Sequence, residues 1–136
     1  MTNPTSPATR GSISSEAAAI LWAIMGAVAI WVVASTGGAD LTVGFPGQPS
    51  VKVTVVNVIV AALVGSLAGW GLLVLLRRFT EKHLSIWTII AIIAGLASLG
   101  GPISAIASLA TKISLVAMHV TVATVLILLL RRTAPK

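Results

Sequence analysis

The stretch VIVAALVGSLAGWGLLVLLRR, residues 58–78, decides how this chain folds. Residues 58–76 carry no charged side chain, and two arginines follow them directly. An α-helix rises about 1.5 Å per residue, so about 20 apolar residues cross the roughly 30 Å of hydrocarbon in a bilayer. The stretch is therefore typical of a transmembrane helix that ends on basic residues at a membrane surface.

Three further runs of the chain share this character. With the first, they predict spans at about residues 17–36, 57–76, 86–101 and 111–130. The chain of 136 residues is 57% hydrophobic and only 9% charged, which is too little charge to cover a soluble domain. We predict an all-α membrane protein, an up-down bundle of four transmembrane helices in a domain of residues 16–133. Residues 1–15, rich in Thr, Ser and Pro, are predicted to be a disordered cytoplasmic tail.

The longest predicted loop, residues 37–56, has the pattern of a β-hairpin. DLTV (40–43) and VKVTV (51–55) alternate apolar and polar residues, and GFPGQPS (44–50) between them is rich in turn formers. We expect a short extracellular β-hairpin between helices 1 and 2. Asn57 stands where an N-cap of the second span is needed.

Basic residues orient the predicted spans. If the N-terminus is inside, seven lysines and arginines face the cytoplasm and only Lys52 and Lys112 face out. The cytoplasmic set is Arg10, Arg77, Arg78, Lys82, Arg131, Arg132 and Lys136. The positive-inside rule then places both termini in the cytoplasm of a plasma-membrane protein. This placement explains the net charge of +6, so the bilayer is the expected partner and nucleic acid is not.

Small residues recur four apart on the spans, which lets helix backbones approach closely. The sets are Ala19, Ala23 and Ala27 on span one, Ala61, Gly65 and Gly69 on span two, and Ala91 and Gly95 on span three. We favour packing inside the bundle, with a homo-oligomer seam through Ala61, Gly65 and Gly69 as the alternative. Trp31 and Trp87 fall near span ends, where indole rings usually settle at the membrane interface.

Two ionisable residues of the fourth span lie at different depths. Counted from Arg131, Lys112 lies about 28 Å up, where its ammonium group can reach the headgroups. A weak, exposed ion pair between Lys112 and Asp40 is a further expectation. His119 lies about 18 Å up, near the midplane, and ionisable residues at that depth usually face the bundle interior.

Gly100, Gly101 and Pro102 interrupt the third span at nearly the depth of His119. Proline has no N–H, so the carbonyl of Ser98 loses its helical donor. An unpaired backbone group in lipid costs several kcal/mol, so the carbonyl of Ser98 needs a buried hydrogen-bond donor. In the favoured interpretation, a neutral His119 donates to the carbonyls near Ser98 and acts as a structural plug.

The other interpretation makes the break a site. His119, Ser98 and Pro102 then line a small polar cavity, as broken helices do in transporters. The outer rim would consist of Lys112, Asn57 and Asp40. Residues 102–110 are open to three readings: a kinked continuation of span three, a re-entrant loop, or the first turns of span four.

The chain shows no catalytic constellation. The membrane separates Asp40 from the other acidic residues, Glu16 and Glu81, and no acid is predicted at the depth of His119. The second histidine, His83, lies in the inner loop, and there is no cysteine. We therefore expect no catalytic residue, no metal site and no cofactor.

Three segments resemble a family of small four-span membrane proteins of unknown function, found mostly in actinobacteria. They are WTIIAIIAGLASLGGPIS (87–104), TKISLVAMH (111–119) and AALVGSLAGWGLLVLLRR (61–78). In that family a Trp opens span three, a Ser-Leu-x-Gly-Pro element closes it, and a Thr-Lys…Met-His element enters span four. The resemblance covers most of residues 18–132 and departs at Gly100-Gly101, where a bulkier residue before a single Gly is expected. It implies the fold and interest in His119, and supplies no mechanism.

These observations rank three functions. The leading prediction is a non-enzymatic accessory or interaction protein, which predicts a closed bundle. The alternative is a small transporter or permease subunit with a polar site near His119 at the helix break, which predicts a polar cavity. An intramembrane enzyme acting on a lipid or quinone ranks lowest.

Overall fold

The computed structural model describes residues 8–133 as a helical bundle with one small antiparallel hairpin. The elements are α1 (Ala8–Thr36), β1 (Thr42–Val43), β2 (Val51–Lys52), α2 (Val55–Phe79), α3 (His83–Ser98), α4 (Gly100–Ser104) and α5 (Leu109–Thr133). Four segments of the described chain are long and apolar enough to cross a membrane: Ile13–Thr36, Val55–Phe79, His83–Ser104 and Leu109–Thr133. The predicted fold class, four spans with a hairpin after the first, is confirmed.

Helix α1 begins earlier than the predicted span. It starts at Ala8, so residues 8–15 are helical rather than part of the expected tail. Residues 8–36 contain no proline, and nothing in the sequence interrupts the helix there. Residues 1–7 of the predicted tail lie outside the described residues.

Helices α1 and α5 form the most extensively packed pair. Ala19, Ala23 and Ala27 of α1 are each no more than 1% exposed, as expected for small residues at a close helix contact. A Cβ added at Gly26 would lie 2.8 Å from Cγ2 of Thr121 on α5. Small residues on this face therefore allow close packing within the bundle.

The small residues of α2 behave differently. A Cβ added at Gly65 or Gly69 would meet no atom within 4 Å outside the local helix backbone, and Ala61 is exposed. The favoured packing inside the bundle is not found on this ridge. It borders open space instead.

The hairpin joins two helix ends. Thr42 pairs with Lys52 in register, and beyond β1 the backbone of Gly44 exchanges hydrogen bonds of 3.0 and 2.8 Å with Ile106. The indole N–H of Trp31 donates to the carbonyl of Val53 at 2.9 Å. This bond fixes the residue after β2 to helix α1. We call this the hairpin end of the bundle, and the opposite end, which carries Arg77, Arg78, Arg131 and Arg132, the basic end.

Thr54, rather than Asn57, is the N-cap of α2. The two residues form a reciprocal capping box: the N–H of Asn57 donates to the hydroxyl of Thr54 at 3.4 Å, and the N–H of Thr54 donates to Oδ1 of Asn57 at 3.0 Å. The helix starts two residues before the predicted N-cap because Thr54 caps it first and Asn57 fills the third helical position.

The break after α3 is a kink followed by a short non-helical link. Helix α4 ends at Ser104, and residues 105–108 separate it from α5. The hydroxyl of Ser104 donates to the carbonyl of Gly100 at 2.7 Å, and Nζ of Lys112 donates to the carbonyl of Ile103 at 3.2 Å. Lys112 therefore binds the break itself. No Asp40–Lys112 pair forms in the described chain, where Glu16–Arg77 is the ion pair found.

Candidate functional site

Helices α2, α3 and α5, with Ala27 of α1 and Val53 before α2, line a cavity of about 800 Å³, which we call the α2–α3–α5 cavity. The space exists because the facing residues are small. They include Ala61, Gly65 and Gly69 on α2, Ala91, Ala94 and Gly95 on α3, and Ala123 on α5. Larger apolar side chains, such as Met118 and Val122, complete the wall along α5. The ridge that was predicted to pack against a helix is one wall of this cavity.

Three of the six predicted site residues meet in this cavity. Asn57, Ser98 and His119 all line it, although they come from three different helices. Pro102 is buried in α4, Asp40 is exposed, and neither belongs to the lining. Lys112, which binds the carbonyl of Ile103, also lies outside it.

The polar groups lie in the hairpin half of the cavity. Asn57 stands in the first turn of α2 and Ser98 is the last residue of α3, so both are near the hairpin end. His119 is about 15 Å along α5 from its start at Leu109. The basic half is lined by apolar residues such as Leu72, Leu126 and Ile127.

Trp87 lines the basic half of the cavity. It is only 1% exposed, and its indole N–H donates to the carbonyl of Gly69 at 2.7 Å. Trp87 was expected near the membrane interface, and the structure shows its ring buried within the bundle. The ring packs inside the bundle and reaches the backbone of α2 through this hydrogen bond.

His119 bonds within its own helix. Its Nδ1 lies 2.8 Å from the carbonyl oxygen of Leu115, one turn earlier. A carbonyl can only accept, so Nδ1 carries the proton, and in a neutral ring Nε2 is left as an acceptor. The hydroxyl of Ser98 donates to the carbonyl of Gly95 at 2.6 Å. The proton that the plug interpretation assigned to the carbonyl of Ser98 is thus used elsewhere.

A second polar cluster, at the basic end, was not anticipated. Glu16 of α1 is only 3% exposed, and its carboxylate accepts from Arg77 at 2.6 Å and from the indole of Trp70 at 2.7 Å. The positions of Glu16 and Arg77 in the sequence could have indicated this cluster. Glu16 immediately precedes the first predicted span and Arg77 immediately follows the second, so antiparallel helices place them at one level.

The cavity can hold an apolar molecule and offer it few polar contacts. Its lining contains no acidic side chain. Within residues 8–133, no group of three or more histidine and acidic side chains is close enough to hold a metal ion. The arrangement is chemically suited to binding an apolar molecule.

A family model matches residues 7–136, and its description is a family of unknown function, DUF6069. No curated protein and no solved structure matches the chain.

Proposed function

We propose that this chain, which belongs to the DUF6069 family of unknown function, is a non-enzymatic membrane protein that binds a lipophilic small molecule in the α2–α3–α5 cavity. The observation that carries the proposal is the cavity itself. Its volume of about 800 Å³ falls within the range of roughly 300–1,000 Å³ that small-molecule sites occupy. The accessory or interaction protein that the sequence favours predicts a closed bundle, and the cavity departs from that expectation.

The walls of the cavity suit a lipophilic molecule better than water or an ion. A buried water needs about two to four polar partners, and a buried ion needs charged or several oxygen ligands. The lining is almost entirely apolar, with Asn57, Ser98 and His119 as its polar exceptions beside the indole of Trp87. The lined face of α2 runs from Asn57 to Leu72, about 23 Å along the helix axis, so the site suits an elongated molecule.

A small transporter or permease subunit is the second candidate. It is favoured by the position of Asn57, which carries the lining of the cavity to the hairpin end of α2. Transport would also need a path past Trp87, whose bond to Gly69 joins α3 to α2 near the basic end. Flux of the bound molecule between liposome compartments separates transport from simple binding.

We place the protein in the plasma membrane with the hairpin outside and both termini in the cytoplasm. The support is the sequence count of seven basic residues against two. Because the chain has no native cysteine, Gln48→Cys in the hairpin and Thr133→Cys at the end of α5 can be compared directly. A membrane-impermeant maleimide should label only Gln48→Cys in intact cells. Labelling of Thr133→Cys alone would show that the orientation is the opposite one.

Photoaffinity labelling in lipid nanodiscs tests the binding proposal. The probe is a decyl-chain alcohol carrying a diazirine, and mass spectrometry locates the labelled residues. We expect labelling of the cavity lining that excess decan-1-ol competes away. Gly65→Leu, which fills the cavity, should suppress this labelling. Gly71→Leu is the matched control, since Gly71 also has open space around it but does not line the cavity.

Two results would contradict the proposal. One is uncompetable labelling spread over the lipid-facing surface and unchanged by Gly65→Leu. The other is occupation of the cavity by a second copy through the alternative seam of Ala61, Gly65 and Gly69. In that case Gly65→Cys would form disulfide-linked dimers in the membrane, Gly71→Cys would not, and the probe would find no free site.

A further inference from the structure

We infer that the molecule held in the α2–α3–α5 cavity is a lipophilic alcohol, whose hydroxyl group donates a hydrogen bond to Nε2 of His119. This inference rests on the proposed function and names the chemical class of its ligand. It follows from the hydrogen bonds that the cavity's polar groups already make within the protein.

The first step is the tautomer of His119. The carbonyl of Leu115, 2.8 Å from Nδ1, has no proton to give, so the ring proton sits on Nδ1. A charged ring would be costly among apolar walls without a counter-charge, and the lining contains no acidic side chain. In the neutral ring, Nε2 is then a hydrogen-bond acceptor. No protein group within the described residues donates to it.

The second step is the hydroxyl of Ser98. Its single proton is given to the carbonyl of Gly95 at 2.6 Å, so only its lone pairs remain for a ligand. Two of the three polar side chains in the hairpin half thus offer acceptors. A ligand that brings another acceptor alone, such as an ether or a ketone, leaves both without a donor.

The third polar side chain offers the opposite group. Oδ1 of Asn57 is held by the backbone N–H of Thr54 in the capping box, which leaves its amide NH₂ as a donor. A hydroxyl group is compatible with this donor because oxygen also accepts. A ketone would suit Asn57 but not His119, so comparing the two ligand classes shows which residue dominates recognition.

The fourth step is the charge of the ligand. Long-chain amines and carboxylic acids also carry acidic protons, but their ionised forms pay a large desolvation cost in an apolar cavity. An alcohol donates a hydrogen bond while neutral. The polar group would lie in the hairpin half beside His119, and the hydrocarbon would extend toward Trp87 and Leu72.

The experiment compares three competitors against the photoreactive alcohol in nanodiscs: decan-1-ol, its methyl ether, and the ketone of equal chain length. We expect decan-1-ol to displace the probe about tenfold more effectively than the ether, because the ether leaves the acceptor of the half-buried His119 unpaired. In His119→Leu the preference should disappear while the ether competes as before. His119→Gln, which retains an acceptor, should recover part of it.

A readout independent of variants is the ¹⁵N spectrum of His119. Adding decan-1-ol should shift the Nε2 resonance toward that of a hydrogen-bonded acceptor, and adding the ether should not. Equal competition by alcohol and ether in the wild type would overturn the inference and leave the binding site standing, as would a ketone that competes best. Failure of every competitor to displace label from the cavity would overturn the proposed function instead.

Discussion

Replacing Arg77 with methionine should destabilise the protein more than replacing Glu16 with glutamine, although both changes break the same ion pair. The two side chains differ in exposure: the side chain of Glu16 is 4% exposed and that of Arg77 is 22% exposed. The carboxylate is therefore the partner that cannot reach water when its counter-charge is lost. The two substitutions should therefore differ in cost because Glu16 is more deeply buried than Arg77.

The expected magnitudes follow from that exposure. Arg77→Met leaves a buried carboxylate with the indole of Trp70 as its remaining partner, and an uncompensated buried charge of this kind costs about 3–5 kcal/mol. Glu16→Gln keeps an acceptor for Trp70 and leaves Arg77 able to extend toward the membrane surface. Its cost should be that of one charged hydrogen bond, about 1.5–3 kcal/mol. The double variant should cost less than the sum, because each change removes the other's unpaired group.

Titration with sodium dodecyl sulfate from mixed micelles, followed by tryptophan fluorescence, measures these free energies of unfolding. Arg131→Met is the control, an exposed arginine at the same end, and should change stability by no more than about 0.5 kcal/mol. Equal costs for Glu16→Gln and Arg77→Met would refute the burial argument. Strict additivity in the double variant would show that the pair contributes no coupling energy.

Two further substitutions test the packing. Gly26→Ala should cost about 1–3 kcal/mol by overpacking against Thr121, and Thr121→Ser, which removes the clashing methyl, should restore stability in the double variant. Gly65→Ala is its matched control and should be neutral or stabilising by up to about 1 kcal/mol; a loss there would mean that the cavity wall is packed. Trp87→Phe should cost at least about 1 kcal/mol through its lost hydrogen bond in the same titration, whereas Trp22→Phe, at a side chain 65% exposed, should not.

The helices were predictable because lipid selects strongly on composition. A span must be apolar over about 20 residues and must satisfy its backbone internally, so hydropathy alone locates α1, α2, α3 and α5. The hairpin followed from alternation and turn residues, and the kink from Pro102. What hydropathy could not locate were the helix ends. Thr54 starts α2 early through a capping box, and α1 extends back to Ala8 through polar residues.

The lining of the cavity was harder to predict because lipid and protein interior are equally apolar. In a soluble helix the polar face shows which side meets solvent, but Ala61, Gly65 and Gly69 read the same whether a helix, a lipid chain or a cavity faces them. Depth along the helix axis was more informative than composition. It brought His119 and Ser98 to nearly one level. The same count, applied to Glu16 and Arg77, would have placed these two residues at one level, but the ion pair was not predicted.

Contacts at both ends of α3 hold this helix beside the cavity. At the basic end, Trp87 is wedged against α2 through its bond to Gly69. Further along, Gly95 packs so closely on α5 that an added Cβ would lie 3.3 Å from the Cβ of Ala123. At the hairpin end, the link after α3 is tied down by the bridge from Ile106 to the hairpin. These contacts fix α3 beside the cavity, so the proposed ligand would enter a site that is already formed. A preformed site has little ordering cost to offset on binding, which would allow a single hydrogen bond at His119 to decide which ligand the proposed site holds.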